Sequence, residues 1–252
     1  DDLWSFEGKN VPIHWHNDLE INLIREGEAV FQVYQKSYRV RTGEGFLLNR
    51  NVPHSCSSPG NEHVRYSTIL VRPDFLYGDF GSDVERKCFQ PFLQNSAIPC
   101  IHLTGFDENG KEILQKLNQV EEAFDRKRFC YELKIKGLLC EAFAMILYGH
   151  RQELTKFVPA NLQELERLEK MLNYLNMHFT EVISLQDLAD QVHLSREVCC
   201  RLFKKMTGKT ITGYLEEYRV NKSFSLVQSG QYSMTQITEM VGFSNPSRFA
   251  SA

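Results

Sequence analysis

The 252-residue chain has no C-x-x-C pair. Its seven cysteines, Cys56, Cys88, Cys100, Cys130, Cys140, Cys199 and Cys200, are odd in number and irregular in spacing. That argues against a zinc ribbon or a disulfide framework and fits reduced thiols in a cytosolic protein. No run nears the roughly 18 apolar residues that a membrane-spanning helix needs. The first residues lack the basic stretch and apolar run of a secretory signal. A cytoplasmic location and no membrane partner are expected. Strong charge bias is also missing. Against 29 Lys and Arg stand 32 Asp and Glu, for a net charge of −3, so charge must be read locally. The chain opens on Asp1, which implies a fragment or a lost start.

What is present is an ordinary globular composition, 42% hydrophobic and 24% charged, on a length that accommodates two domains. Residues 19–71 read as short strands: "LEINLIRE", "EAVFQVYQ", "SYRVRT", "GFLLN" and "HVRYSTILV". They are rich in β-branched and aromatic residues, and Gly27, Gly43, Gly45, Pro53, Pro59 and Gly60 separate them. Many short strands at this spacing predict a sandwich or barrel.

After residue 106 the period becomes helical. Ile113, Leu117, Val120 and Phe124 recur at intervals of four, three and four, the spacing of a helix–helix seam. "YELKIKGLLCEAFAMILYGH" (131–150) is a second, more apolar helix. The seam either packs within the domain or joins two copies of the chain. Residues 152–161, with Pro159 and Asn161, read as a linker, and residues from Leu162 onward read as helix.

The C-terminal part contains an internal repeat. "SLQDLADQVHLS" (184–195) aligns with "SMTQITEMVGFS" (233–244), an offset of 49 residues. Ser184 and Ser233 each head a capping signature. Each unit is a two-turn helix, a tight turn and a new N-cap: Ser195 in the first unit, Asn245 in the second, followed by Pro246 at the first helical position. This is a helix-turn-helix pattern seen twice. The helix after the first turn, with Lys209 added, carries Arg196, Arg201, Lys204, Lys205 and Lys209 against Glu197, a local charge of +4. That is the footprint of phosphate neutralisation. Val198, Leu202 and Phe203 are expected to face the core, and Arg196, Glu197, Cys200, Arg201 and Lys204 to face outward. Between the units, about 18 helical residues form a rod of roughly 27 Å, with Ile211, Leu215, Tyr218, Phe224 and Val227 as expected buried positions. Such a rod suits two recognition helices set about one turn of B-DNA apart.

These stretches, with the "RLFKKMTG" run, Tyr214-Leu215 through Arg219, and "VGFS", resemble the AraC/XylS family of transcription regulators. The N-terminal half resembles the cupin-type sensor domain that many members carry. The resemblance implies an α+β fold: a cupin-like β-barrel at 1–105, a helical pair at 106–151 used for dimerisation through Ile113, Leu117, Val120 and Phe124, a linker, and an all-α domain at 162–252 with two helix-turn-helix units. It places the base-reading residues at Arg196, Glu197, Cys200 and Arg201 in the first unit, and at Pro246, Ser247, Arg248 and Ser251 in the second. Arg201 is the best candidate for a guanine contact. The chain departs from the family in having Cys199 where Leu is usual and Ser223 where Ala is usual. It also stops at Ala252, inside the second recognition helix, so this form is expected to bind DNA poorly.

"GKNVPIHWHNDLEINLIREG" fits the first cupin motif without a gap: Gly8, His14-x-His16, Glu20, Gly27. The second motif is eroded. Gly43 and His54 keep its separation, but Asn49 and Asn51 stand where proline and glycine are usual, and Ser58 where asparagine is usual. Two readings of His14, His16, Glu20 and His54 remain open. Three imidazoles and a carboxylate suit Zn, Fe, Mn or Ni, which would make the domain a metal-dependent enzyme or sensor. Alternatively they line a pocket for a small effector, plausible as a sugar, with Trp15, Tyr34 and Tyr38 supplying aromatic faces. The second reading is preferred, with no cofactor and no catalysis. The expected function is effector-controlled binding to double-stranded promoter DNA by a homodimer, with RNA polymerase as a partner if the protein activates.

Overall fold

The computed structural model describes residues 10–60, 63–156, 158–159, 161–243 and 249. Among the described residues, eight strands build two antiparallel four-stranded sheets: β1 (Asn10–His14), β2 (Leu19–Glu26), β3 (Glu28–Val33), β4 (Lys36–Arg41), β5 (Gly45–Leu48), β6 (His54–Ser57), β7 (Arg65–Val71) and β8 (Cys100–Leu103). One sheet has the order β1-β6-β3-β4 and the other β7-β2-β5-β8. The core between them holds Phe31, Val33, Val40, Phe46, Leu48 and Tyr66, with Phe31 and Phe46 stacked at 4.6 Å.

Strand β2 is buried from Leu19 to Ile24. Because successive side chains point to opposite faces, the strand serves two layers. Leu19, Ile21 and Leu23 face a helical layer. Glu20 and Asn22 fall on the opposite face with Ile24, which packs in the core between the sheets. The helical layer comprises α1 (Pro73–Tyr77), a π-helical turn at Glu85–Phe89 leading into α2 (Gln90–Leu93), α3 (Glu108–Arg126), α4 (Tyr131–Gly149) and α5 (Arg151–Leu154).

The seam read on α3 is filled from within the chain. Ile113, Leu117 and Val120 are buried in one cluster with Leu23, Leu103, Leu139, Phe143 and Ile146. These three are therefore not available as a dimer contact: the outer face of the β7-β2-β5-β8 sheet and α4 already satisfy their spacing. Of the four seam residues only Phe124 is exposed. The linker is also tied down. Val158 N donates to Asn95 Oδ1 at 3.1 Å, and Val158 O accepts from Ser96 N at 2.7 Å.

The C-terminal domain comprises α6 (Leu162–Met177), α7 (Leu185–Gln191), α8 (Arg196–Thr207), α9 (Ile211–Ser229) and α10 (Met234–Met240). The repeat appears as matched caps. Ser184 accepts from Asp187 N, and Ser233 forms a complete capping box with Gln236. Ser195 caps α8 by accepting from Val198 N. On α8 the buried face is Cys199, Leu202, Phe203 and Met206, with Val198 only half-buried. On α9 it is Ile211, Tyr214 and Ser223; Phe224 and Val227 are exposed. Phe224 follows Ser223 directly, so it lies about 100° further round the helix, away from the core.

Candidate functional sites

Two strands and the loop after β1 bring the first motif together. His14 on β1 is the cross-strand partner of His54 on β6, and Glu20 enters from β2. One ligand atom from each of His14, His16, Glu20 and His54 lies within 4.8 Å of all the others. The imidazoles are held alike. Nδ1 of His14 donates to Pro12 O (2.9 Å), that of His16 to Asp18 O (3.0 Å), and that of His54 to Val52 O (2.8 Å). A carbonyl only accepts, so each Nδ1 carries a proton.

Those nitrogens surround one carboxylate. His16 Nε2 lies 2.7 Å from Glu20 Oε2, and His54 Nε2 lies 3.3 Å from the same oxygen. His54 Nε2 is buried and has no hydrogen-bond partner. Glu20 Oε1 accepts from Asn22 Nδ2 at 2.7 Å, and Asn22 Oδ1 accepts from Thr68 Oγ1 at 2.8 Å. Burial works to raise the Glu20 pKa, but hydrogen bonds from His16 and Asn22, with His54 alongside, hold it well below the usual carboxylate range. Burial and the neighbouring His54 push His14 down, whereas the hydrogen bond to Glu20 pulls His16 up. Sequence reading missed Asn22 and Thr68 as orienting groups. Asn22 was detectable, since it lies two residues beyond Glu20 on a strand and so shares its face.

The expected aromatic faces lie elsewhere. Trp15 packs against the core of the C-terminal domain, as does Ile13. Tyr34 bridges that core and the barrel core. Tyr38 packs on Phe46 with ring centroids 5.2 Å apart. Tyr34 and Tyr38 line a cleft of about 590 Å³ between barrel and C-terminal domain, together with Lys36, Leu165, Lys205 and Met206. Burial pushes both phenols up to about 12, so they stay neutral. The seven residues expected to bind an effector thus divide into the barrel cluster and an interdomain group.

On α8, Arg196, Glu197, Arg201 and Lys204 are exposed on one side of the first recognition helix. Cys200 is half-buried against the domain core, so it presents little to a base. Lys205 turns away from the reading face, because its ammonium pairs with Glu164 on α6 at 2.7 Å. Pro246, Ser247, Arg248 and Ser251 lie outside the described residues. Among the described residues, no helix is long and apolar enough to cross a membrane.

Comparison with known proteins agrees with this geometry. Residues 3–143 match the AraC-like ligand binding domain, and residues 188–252 match a helix-turn-helix domain. The HTH-type transcriptional regulator YdeC of Bacillus subtilis (strain 168) is 28% identical over 242 residues, covering 96% of this chain and 81% of that protein. The HTH-type transcriptional activator RhaR of Escherichia coli O139:H28 is 21% identical over 241 residues, covering 94% and 80%. The structure of ToxT from Vibrio cholerae superposes with a TM-score of 0.44 at 17% identity, covering 96% of this chain and 87% of that one. With the ligand-binding model matching more than half of the chain, and a helix-turn-helix domain behind it, the chain belongs to the AraC family of DNA-binding transcription regulators.

Proposed function

We propose that this regulator is controlled through the barrel, and that the barrel's effector is a divalent transition-metal ion held by His14, His16, Glu20 and His54. One observation carries the reading. His54 Nε2 is buried, has no hydrogen-bond partner, and faces Glu20 Oε2 at 3.3 Å while Nδ1 of the same ring donates to Val52 O. With a neutral imidazole, two lone pairs face each other at that separation and repel unless a cation lies between them. The donor set fits such a cation: three imidazole nitrogens and one carboxylate suit Zn, Fe, Mn or Ni. The surrounding contacts fit as well, since each imidazole donates its Nδ1–H to a carbonyl and the carboxylate accepts from Asn22. When bound, the ion supplies a concentrated positive charge that can anchor an oxygen ligand of a small molecule. A carbohydrate effector has less support, because Trp15 and Tyr34 pack on the core of the C-terminal domain and Tyr38 packs on Phe46.

Occupancy can reach the DNA-binding domain through β1 and the residues after it. His14 and His16 serve the cluster, while Trp15 between them is seated on the C-terminal core. An ion that fixes the two histidines fixes the tryptophan, and so biases the arrangement of barrel and DNA-binding domain. The test uses the full-length protein, its elemental metal content, and its affinity for duplexes selected from a random library. Expected results are about one metal per chain, loss of that metal in His54→Ala, and an affinity that chelation changes by about 5–150-fold, the usual range of coupling between sites. A protein that takes up none of the four metals, or binds DNA equally with and without metal, overturns the reading.

A further inference from the structure

We propose that Arg219, on the helix joining the two helix-turn-helix units, is the positioning residue that sets how far apart the protein reads its two half-sites. Its guanidinium makes contacts on both units. Nε donates to Phe179 O at 2.6 Å and Nη2 donates to Glu181 O at 2.8 Å, both in the turn between α6 and α7 of the first unit. The same guanidinium sits 5.8 Å from the ring centroid of Phe243, in the turn of the second unit. One side chain therefore connects the first unit, the connecting helix and the second unit.

Backbone packing at the same place supports this independently. Gly242, in the second unit's turn, has φ +84°, and a Cβ there would lie 2.8 Å from Phe179 O, Thr180 Cα and Thr180 O. The two turns touch backbone to backbone, which only glycine permits. Phe179 also meets Tyr218, the residue before Arg219, edge-on at 5.4 Å. Past Ser223, α9 leaves Phe224 and Val227 exposed. The turn at 179–181 is thus a hub where the second unit, the connecting helix and the first unit meet.

Two recognition helices must meet successive major grooves about 34 Å apart. A fixed hub admits one separation of half-sites, and a loosened hub admits several. A lysine keeps the charge but not the planar fork that spans two carbonyls. Arg219 acts through the two units and touches no base, so its signature is spacing rather than base preference.

The experiment is selection of binding sites from random-sequence duplex DNA by the full-length protein, with the separation of half-sites read by sequencing. Wild type should enrich two half-sites at one separation. Arg219→Ala and Gly242→Ala should enrich the same two half-sites at several separations, with the base preferences of each intact. Circular dichroism melting establishes that each variant is folded, and Arg219→Lys takes the place of Arg219→Ala if the latter is not. A folded variant that keeps the single separation overturns the proposal. So does one that loses both half-sites together, which would show that Arg219 supports DNA binding as a whole and not the spacing.

Discussion

His14, Trp15 and His16 are consecutive and serve opposite sides of the barrel wall. Replacing Trp15 by Ala should leave metal content unchanged while abolishing the effect of chelation on DNA affinity; a retained effect would show that coupling runs elsewhere. On the DNA side, Arg201→Ala should weaken binding to a selected site by about 1–3 kcal/mol and relax preference at one base pair. Lys205→Ala should leave base preference alone, because its pairing with Glu164 is an exposed ion pair worth about 0–1 kcal/mol. Both effects are read by competition binding against single-base variants of the site. The cluster residues were legible because the first motif is gapless in spacing. The second motif looked worn, yet Asn51 adopts φ 58°, the left-handed conformation that the usual glycine supplies and that asparagine tolerates. The partner of Lys205 was not legible, since Glu164 lies 41 residues away in sequence.

Among elements, α3 shows how one pattern can serve two purposes. Its apolar spacing predicts a helix partner, and the partner is α4 and the sheet rather than a second chain. Leu117→Ala should therefore cost about 2–5 kcal/mol of folding stability, the range for deleting a buried leucine side chain, while leaving the oligomeric state unchanged. Denaturant unfolding and sedimentation equilibrium measure the two separately. Strands β1, β6 and β8 escaped the sequence reading for a different reason. β6 is "HSCS", with no β-branched or aromatic residue, and its strand state is imposed by pairing with β1 and β3. The α7 and α10 helices were legible because caps are local: each serine bonds a backbone N–H three residues on.

Across the whole molecule, barrel and C-terminal domain meet where α8 ends. Gly208 has φ +75°, and a Cβ there would come within 2.6 Å of Gln32 Nε2 and Tyr34 O. Gly208→Val should push the domains apart, raising the radius of gyration in solution scattering and uncoupling DNA binding from metal. Gly230→Ala is the control: Gly230 has φ +63°, and nothing lies within 4 Å of its Cβ position. It therefore carries backbone strain without the clash, and domain separation in both variants would mean that strain alone is responsible. The meeting of the domains was not legible, because no local pattern records contacts between residues so far apart in sequence. Strand β2 has one further consequence. The strand that carries Glu20 on one face carries Leu19, Ile21 and Leu23 on the other, so the histidine–glutamate cluster and the helical layer share a backbone. Neither can melt alone. A ligand that binds only the folded barrel therefore raises the melting temperature of the helices with it. Resistance to a protease that cuts unfolded chain should then rise with occupancy.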